Sequence, residues 1–234
     1  MSDLNTLTLI AIVPAAGVGS RMKADRPKQY LTIDDQTVLE HTVDKLLSHP
    51  AIRQVVVAIS ESDPYYSELA MSQRADVVRV KGGKERADSV LSGLEYASTQ
   101  SSDWVLVHDA ARPCVKHDDI DRLIEVARAH KTGAILASPV RDTMKRANTD
   151  NNIDHTVERE ALWHALTPQM FKTQQLTHAL SSALAENVAI TDEASALEWL
   201  GEHPALVQGS ADNIKITQPE DLALAEFYLQ RNKG

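Results

Sequence analysis

The chain has 234 residues and a net charge of -9, with 24 Lys plus Arg against 33 Asp plus Glu; this argues against a nucleic-acid surface or an anionic membrane as partner. Its length suits one large α/β domain with a sizeable core, and aromatic residues at 4% leave Leu, Ile, Val and Ala to build it. A small polyanionic substrate remains possible, because a few clustered cations are enough to hold one. In chain order, Thr8–Val13 reads as a buried strand that breaks at Pro14 into a small-residue loop with Gly17 and Gly19, and Arg21 and Lys28 follow. Strands are then expected over Gln54–Ile59, Val77–Val80, Trp104–His108 and Gly133–Ala137, and helices over Thr37–Ser48, Pro64–Ala70, Arg86–Tyr96 and Asp118–His130. Near-continuous apolar strands alternating with helices predict a mostly parallel sheet with helices on both faces.

The alternation fails from Val140 to about Leu162, where two short polar strands around N-T-D-N-N read as a hairpin with little apolar surface of its own. It is either a protruding arm held by a partner or a plain surface hairpin. Helices return at Thr173–Glu186, Asp192–Leu200 and Pro219–Gln230. Cys114 is the only cysteine, which fits a reducing compartment and a small buried apolar role. The His residues lack zinc-ligand spacing. The start M-S-D-L-N lacks a basic leader and no apolar run approaches membrane-spanning length, so a cytoplasmic protein is expected.

Four segments point to chemistry. In P-A-A-G-V-G-S-R-M, two glycines let the main chain approach a ligand, and successive N–H groups there form a nest for anionic oxygen. G-x-x-x-x-G-K-[ST] is absent, and the dinucleotide fingerprint fails at Met22, which disfavours a dehydrogenase. On the glycines alone the loop reads as an ordinary tight turn; the trailing Arg21 and Lys28 favour polyphosphate binding. G-G-K-E-R-A-D-S-V (Gly82–Val90) is either a capped junction or an anion or base site at a helix N-terminus. V-H-D-A-A-R-P (Val107–Pro113) offers Asp109 as a candidate carboxylate for Mg²⁺ on a nucleoside triphosphate. It also offers Arg112 as a phosphate or hydroxyl donor; the bland alternative is an Asp–Arg ion pair closing a loop. Further along, Arg159 suits bidentate phosphate binding and Lys215 a point charge. Thr143, Thr167 and Thr191 are candidate partners for substrate hydroxyls, while Asp192 and Glu193 suit the start of a helix.

The string P-A-A-G-x-G-x-R-M…P-K resembles the nucleotidyltransferase signature. Together with V-R-D-T-M-K, T-P-Q, T-D-E-A-S and N-I-K-I-T-Q-P-E-D-L, it resembles the 2-C-methyl-D-erythritol 4-phosphate cytidylyltransferases of the non-mevalonate isoprenoid pathway, over nearly the whole chain. The resemblance implies a Rossmann-like nucleotidyltransferase fold in a single domain, 1–234, with an arm at about 141–160. It implies transfer of a cytidylyl group from CTP with Mg²⁺, and a homodimer in which the arm reaches the partner. It implies that Arg21 and Lys28 stabilise the transition state while Arg159 and Lys215 position the substrate phosphate. It implies CTP contacts at Ala15, Ala16, Gly17, Gly19, Gly83, Ser89 and Ala110, with Asp109, Arg112, Thr143 and Thr167 in the substrate or metal region. Lys84 departs from the acidic or small residue usual there, and no fused cyclodiphosphate synthase domain is expected. The rival readings are a ribitol 5-phosphate cytidylyltransferase and a non-catalytic nucleotide-binding regulator.

Overall fold

The computed structural model describes residues 7–17 and 26–231. Strand β1 (Leu9–Pro14) lies inside the main sheet. Leu9, Ala11 and Val13 face one core and Ile10 and Ile12 the other. A strand buried on both faces needs an unbroken apolar run, and this is what the sequence shows. A short ladder of β2 (Thr32–Ile33) and β3 (Gln36–Thr37) leads into α1 (Val38–Leu47). The helix starts there because the Thr37 hydroxyl accepts from Glu40 N–H (3.2 Å) and Thr37 N–H donates to the Glu40 carboxylate (3.0 Å).

Strands β4 (Ile52–Ile59), β5 (Val77–Lys81) and β6 (Trp104–Val107) run parallel to β1. Helix α2 (Arg86–Thr99) joins β5 to β6, and α3 (His117–Ala129) joins β6 to β7 (Ala134–Pro139). The expected helix over Pro64–Ala70 is absent. Two 3-10 turns, Tyr66–Glu68 and Ala70–Gln73, take its place. The Asp63 carboxylate accepts from the N–H groups of Tyr65 and Tyr66, at 3.0 and 2.9 Å, and so holds the chain in a side-chain turn. A segment this short does not repay the cost of nucleating an α-helix.

The polar segment after β7 is the hairpin β8 (Met144–Ala147) and β9 (Ile153–Val157), antiparallel and exposed along almost its whole length. The chain leaves β7 at its carboxyl end, runs out through the arm and returns to the same end. The next strand, β10 (Trp163–Lys172), therefore enters the sheet antiparallel, between β6 and β7. Sequence reading treated W-H-A-L-T-P-Q as a motif and missed this strand. It also missed β11 (Ala205–Gln208), which pairs parallel with β7. The sheet order is β11-β7-β10-β6-β1-β4-β5. Helices α1 and α3 pack on one face. Helix α2 packs on the other, with α4 (Thr173–Ala185) and α5 (Glu193–Trp199). Helix α6 (Glu220–Arg231) closes a third cluster with Ile216, Ala111 and buried Cys114. Burial pushes the Cys114 thiol up to about 12, which makes it an inert packing group.

Helix α2 approaches β1 closely at Gly93, where an added Cβ would stand 2.5 Å from Ile12 Cγ2. Helix propensity alone favours Ala over Gly by about 1 kcal/mol. Overpacking a filled core costs about 1–3 kcal/mol. Gly93→Ala should therefore destabilise the protein by about 1 kcal/mol net, read as a lowered urea midpoint; an unchanged or raised midpoint would show that Ile12 yields freely.

Candidate active site

Two adjoining cavities open at the carboxyl ends of β1, β5 and β6, where ligands bind on parallel sheets. The first is floored by Pro14–Gly17 and walled by Gly83, Ser89 and Ala110, with Lys28, Lys84 and Arg86 supplying positive charge. All the expected CTP residues line it except Gly19, which, like Arg21, lies outside the described residues. The second cavity is lined by Arg112, Thr167, Thr191 and Asp192. Arg86, Asp109 and Lys215 border both. Thr143 and Arg159 are in neither: they lie exposed on and beside the arm, where Arg159 donates to the Arg141 carbonyl.

The loops are fixed by contacts between segments remote in sequence. Buried Gln29 donates from Nε2 to the carbonyls of Ala15 (2.8 Å) and Gly17 (3.0 Å), which holds the first loop in shape. Gly82 lies against the same loop; a Cβ there would stand 2.4 Å from Ala16 Cβ. Ser89 Oγ accepts from Gly83 N–H (3.0 Å) and donates to the Glu85 carbonyl (3.2 Å), so it braces the second loop. Lys28 Nζ donates to the Ile216 carbonyl (3.0 Å), while Ile216 N–H donates to the Ala111 carbonyl (2.9 Å). The segment carrying Lys215 is thereby sewn to Lys28 and to the loop after β6. Its other end is held by Asp119 of α3, whose carboxylate accepts from Ser210 N–H (2.9 Å) and Ser210 Oγ (3.0 Å).

Asp109 is the electrostatic centre. Its carboxylate meets Lys215 Nζ at 2.9 Å, Arg86 Nε at 3.2 Å and Arg112 Nε at 3.4 Å. Burial alone would push this carboxyl up. Arg86, then Lys215 and Arg112, pull the other way and hold it well below the usual carboxylate range. Arg86 also forks onto buried Glu193, with contacts of 2.5 and 3.1 Å. Burial drives the Glu193 carboxyl up against that pull. Burial likewise opposes the Arg86 charge, but Glu193 and Asp109 outweigh it and leave the guanidinium firmly protonated. Three cations thus face two carboxylates, which leaves the cluster with excess positive charge between the cavities.

Sequence reading found Asp109, Arg112 and Lys215 but assigned no site role to Arg86, Gln29 or Glu193. Asp192 does cap α5, accepting from Ser195 N–H at 2.9 Å, whereas Glu193 turns inward to Arg86. No local pattern marks that pair, because its members are 107 residues apart.

Removing one partner from a buried charge cluster leaves the others uncompensated and costs about 3–5 kcal/mol. Asp109→Asn should lose stability on that scale in urea unfolding at pH 7. Because the folded-state value is depressed, the Asp109 contribution is fully present above about pH 4 and is lost as the pH falls through the folded value. The gap between the parent and Asp109→Asn should therefore narrow below about pH 4; a gap that stays constant there would contradict the assignment.

A family model described as 2-C-methyl-D-erythritol 4-phosphate cytidylyltransferase matches residues 9–231. The chain is 77% identical over 231 residues to the enzyme of that name from Vibrio parahaemolyticus, covering 98% of this chain and 99% of the relative. Among solved structures, a 4-diphosphocytidyl-2C-methyl-D-erythritol synthase superposes with TM-score 0.82 at 40% identity, covering 95% of this chain and 99% of that one. The Thermus thermophilus cytidylyltransferase gives TM-score 0.79 at 32% identity, with 96% and 100% covered. These likenesses favour neither a ribitol phosphate enzyme nor a regulator. No helix among the described residues is long and apolar enough to cross a membrane. The chain belongs to the 2-C-methyl-D-erythritol 4-phosphate cytidylyltransferase family of nucleotidyltransferase enzymes.

Proposed function

We propose that this protein joins CTP to 2-C-methyl-D-erythritol 4-phosphate, giving 4-diphosphocytidyl-2-C-methyl-D-erythritol and pyrophosphate, in the cytoplasm. The observation that carries this reading is the meeting of two cavities at one cationic cluster, Arg86, Asp109 and Lys215. Two anionic substrates repel one another, and a shared positive wall between their pockets offsets that repulsion. CTP occupies the first cavity, against the backbone of Ala15, Ala16 and Gly17 and beside Gly83, Ser89 and Ala110. The acceptor occupies the second, near Arg112, Thr167 and Thr191. An acceptor phosphate oxygen attacks the α-phosphorus in line, and pyrophosphate leaves. No covalent intermediate on the protein is needed. Catalysis is positioning plus stabilisation of the charge that grows during attack.

Lys28, on the first cavity, supplies charge to the α-phosphate, and Arg21 shares that role by resemblance to the family. Lys215 and Arg159 position the acceptor phosphate. Among the described residues no cluster of three His, Cys, Asp or Glu is arranged to hold a metal by itself. Asp109 is the one carboxylate among the described residues that borders both cavities, and both its oxygens already meet cations, so an Mg²⁺ there would rest chiefly on phosphates and water with Asp109 as its protein ligand. Bound there, Mg²⁺ would draw negative charge from the triphosphate. We assign one domain to the chain, with the arm at about 141–160 joining two copies in a homodimer. This arrangement brings Arg159 and Thr143 of one copy to the acceptor cavity of the other.

Lys28→Ala should lower kcat by roughly 10²–10³, the scale for losing one preorganised electrostatic donor, with a smaller change in KM for CTP. Arg159→Lys keeps the charge but loses the fork, so it should raise KM for the acceptor and lower kcat by up to about 10²-fold. Pyrophosphate-release kinetics on both variants check this division. It fails if Lys28→Ala raises the acceptor KM as much as Arg159→Lys does while kcat stays unchanged.

Deleting Lys145–Asp154 should shift the protein from dimer toward monomer in light scattering and lower activity with it. An intact protein that is monomeric at micromolar concentration would rule the arm out as a dimerisation element.

A further inference from the structure

His108 is wholly buried at the end of β6, yet both ring nitrogens are hydrogen-bonded. Nε2 lies 2.9 Å from the Arg112 carbonyl. A carbonyl only accepts, so Nε2 carries the proton and donates. Nδ1 is then an acceptor. The atom 3.0 Å from it is Thr167 Oγ1, so the Thr167 hydroxyl must donate to the ring. That leaves the Thr167 lone pairs to accept from Asp109 N–H at 3.0 Å. Every donor direction in this chain of bonds is fixed: Asp109 N–H to Thr167, Thr167 O–H to His108, His108 N–H to Arg112.

The two ends of this chain are the backbone of the residues whose side chains build the charge cluster. A second arm returns from the other side: Arg112 Nη1 donates to the Asn213 carbonyl (2.7 Å), and Asn213 Nδ2 donates to the Thr167 carbonyl (2.7 Å). The circuit closes on Thr167, which the irregular register of β10 between Ala165 and Gln169 lifts out of the ladder.

We propose that His108 and Thr167 are positioning residues for cytidylyl transfer: the neutral His108 ring orients the Thr167 hydroxyl, and that hydroxyl sets the Asp109–Arg112 loop. One ring nitrogen that donates and one that accepts is the bonding of a neutral imidazole. The groups that face it are Asp109, Arg112 and Arg86.

Side-chain geometry allows the two bonds of His108 to be separated. Asn places its amide near the Nδ1 position and can still accept from Thr167. Gln reaches the Nε2 position and can still donate to Arg112. A residue that merely closes the loop would be better replaced by Gln; one that orients Thr167, by Asn. We expect the kcat of pyrophosphate release for His108→Asn to exceed that of His108→Gln by about tenfold or more, on the scale of losses from small misplacement of reacting groups. KM for CTP should be similar in the two, since the 14–17 and 82–89 loops make no bond in the circuit. Thr167→Ser should likewise exceed Thr167→Val in kcat by about tenfold; Ser keeps the hydroxyl at the loss of one methyl and Val keeps the shape without the hydroxyl, so this pair serves if the His108 variants fail to fold. Equal kcat in Thr167→Ser and Thr167→Val would overturn the proposal, and so would a His108→Gln protein as active as His108→Asn.

Discussion

One buried carboxylate holds the cleft together. Asp109 draws in Arg86 from the start of α2, Arg112 from the loop after β6 and Lys215 from the segment after β11. Desolvating such a group is expensive, and a single surface-type ion pair would not repay it. Three cations do, at distances of 2.9 to 3.4 Å. The consequence reaches beyond stability. Each cation belongs to a different segment, so the carboxylate fixes three loops relative to one another, and those loops form the walls of both cavities. The protein as a whole is acidic at -9, but the charge that a ligand meets in the cleft is positive. Low-dielectric walls focus such a local field, which attracts polyanions that the bulk surface repels.

The arm has a topological consequence of its own. Because the excursion from Met144 to Val157 begins and ends at the same edge of the sheet, β10 must run against its neighbours. An antiparallel strand starts where the parallel strands end. β10 therefore carries the start of its own sequence, rather than its end, through the ligand-binding rim. This delivers Thr167 to Asp109 and Gln169 to α5, where its side chain accepts from Ala194 N–H at 3.0 Å and donates to Asp192 at 2.9 Å. One strand thus braces both carboxylate-bearing segments of the charge cluster.

The parallel half of the sheet was legible because its signal is local. Runs such as Ile10–Val13 and Val55–Ile59 are apolar on both faces, and only a strand between two helical layers requires that. β10 was not legible: it begins half-exposed, includes a proline that cannot donate to a ladder, and owes its direction to the arm. The loop and charge residues Gly17, Lys28, Asp109, Arg112 and Lys215 could be named from short strings, because phosphate chemistry demands those residue types near glycine or at strand ends. Gln29, His108 and Glu193 could not. Each acts through a bond to another protein group, and neither amide, imidazole nor buried carboxylate has a sequence signature for that use. Gln29 sits in the same P-K-Q string as Lys28, yet its function appears only once its side chain is seen on the Ala15 and Gly17 carbonyls.

The cations that line the second cavity are already engaged. Lys215 and Arg112 both direct nitrogens to Asp109, and Arg112 places a further one on Asn213. Arg86 is divided between Asp109 and Glu193. The cavity proposed for the acceptor is therefore lined by cations whose charge is already partly balanced, and a dianionic phosphate entering it would compete with Asp109 for the same donors. A guanidinium delivered from outside this network escapes that competition, since it has no buried carboxylate to abandon. Arg159 meets the condition: it is exposed at the base of the arm, and its described hydrogen bond is to a backbone carbonyl. In the dimer proposed above, the polar, outward-reaching hairpin would supply the donor that the cleft does not provide for itself.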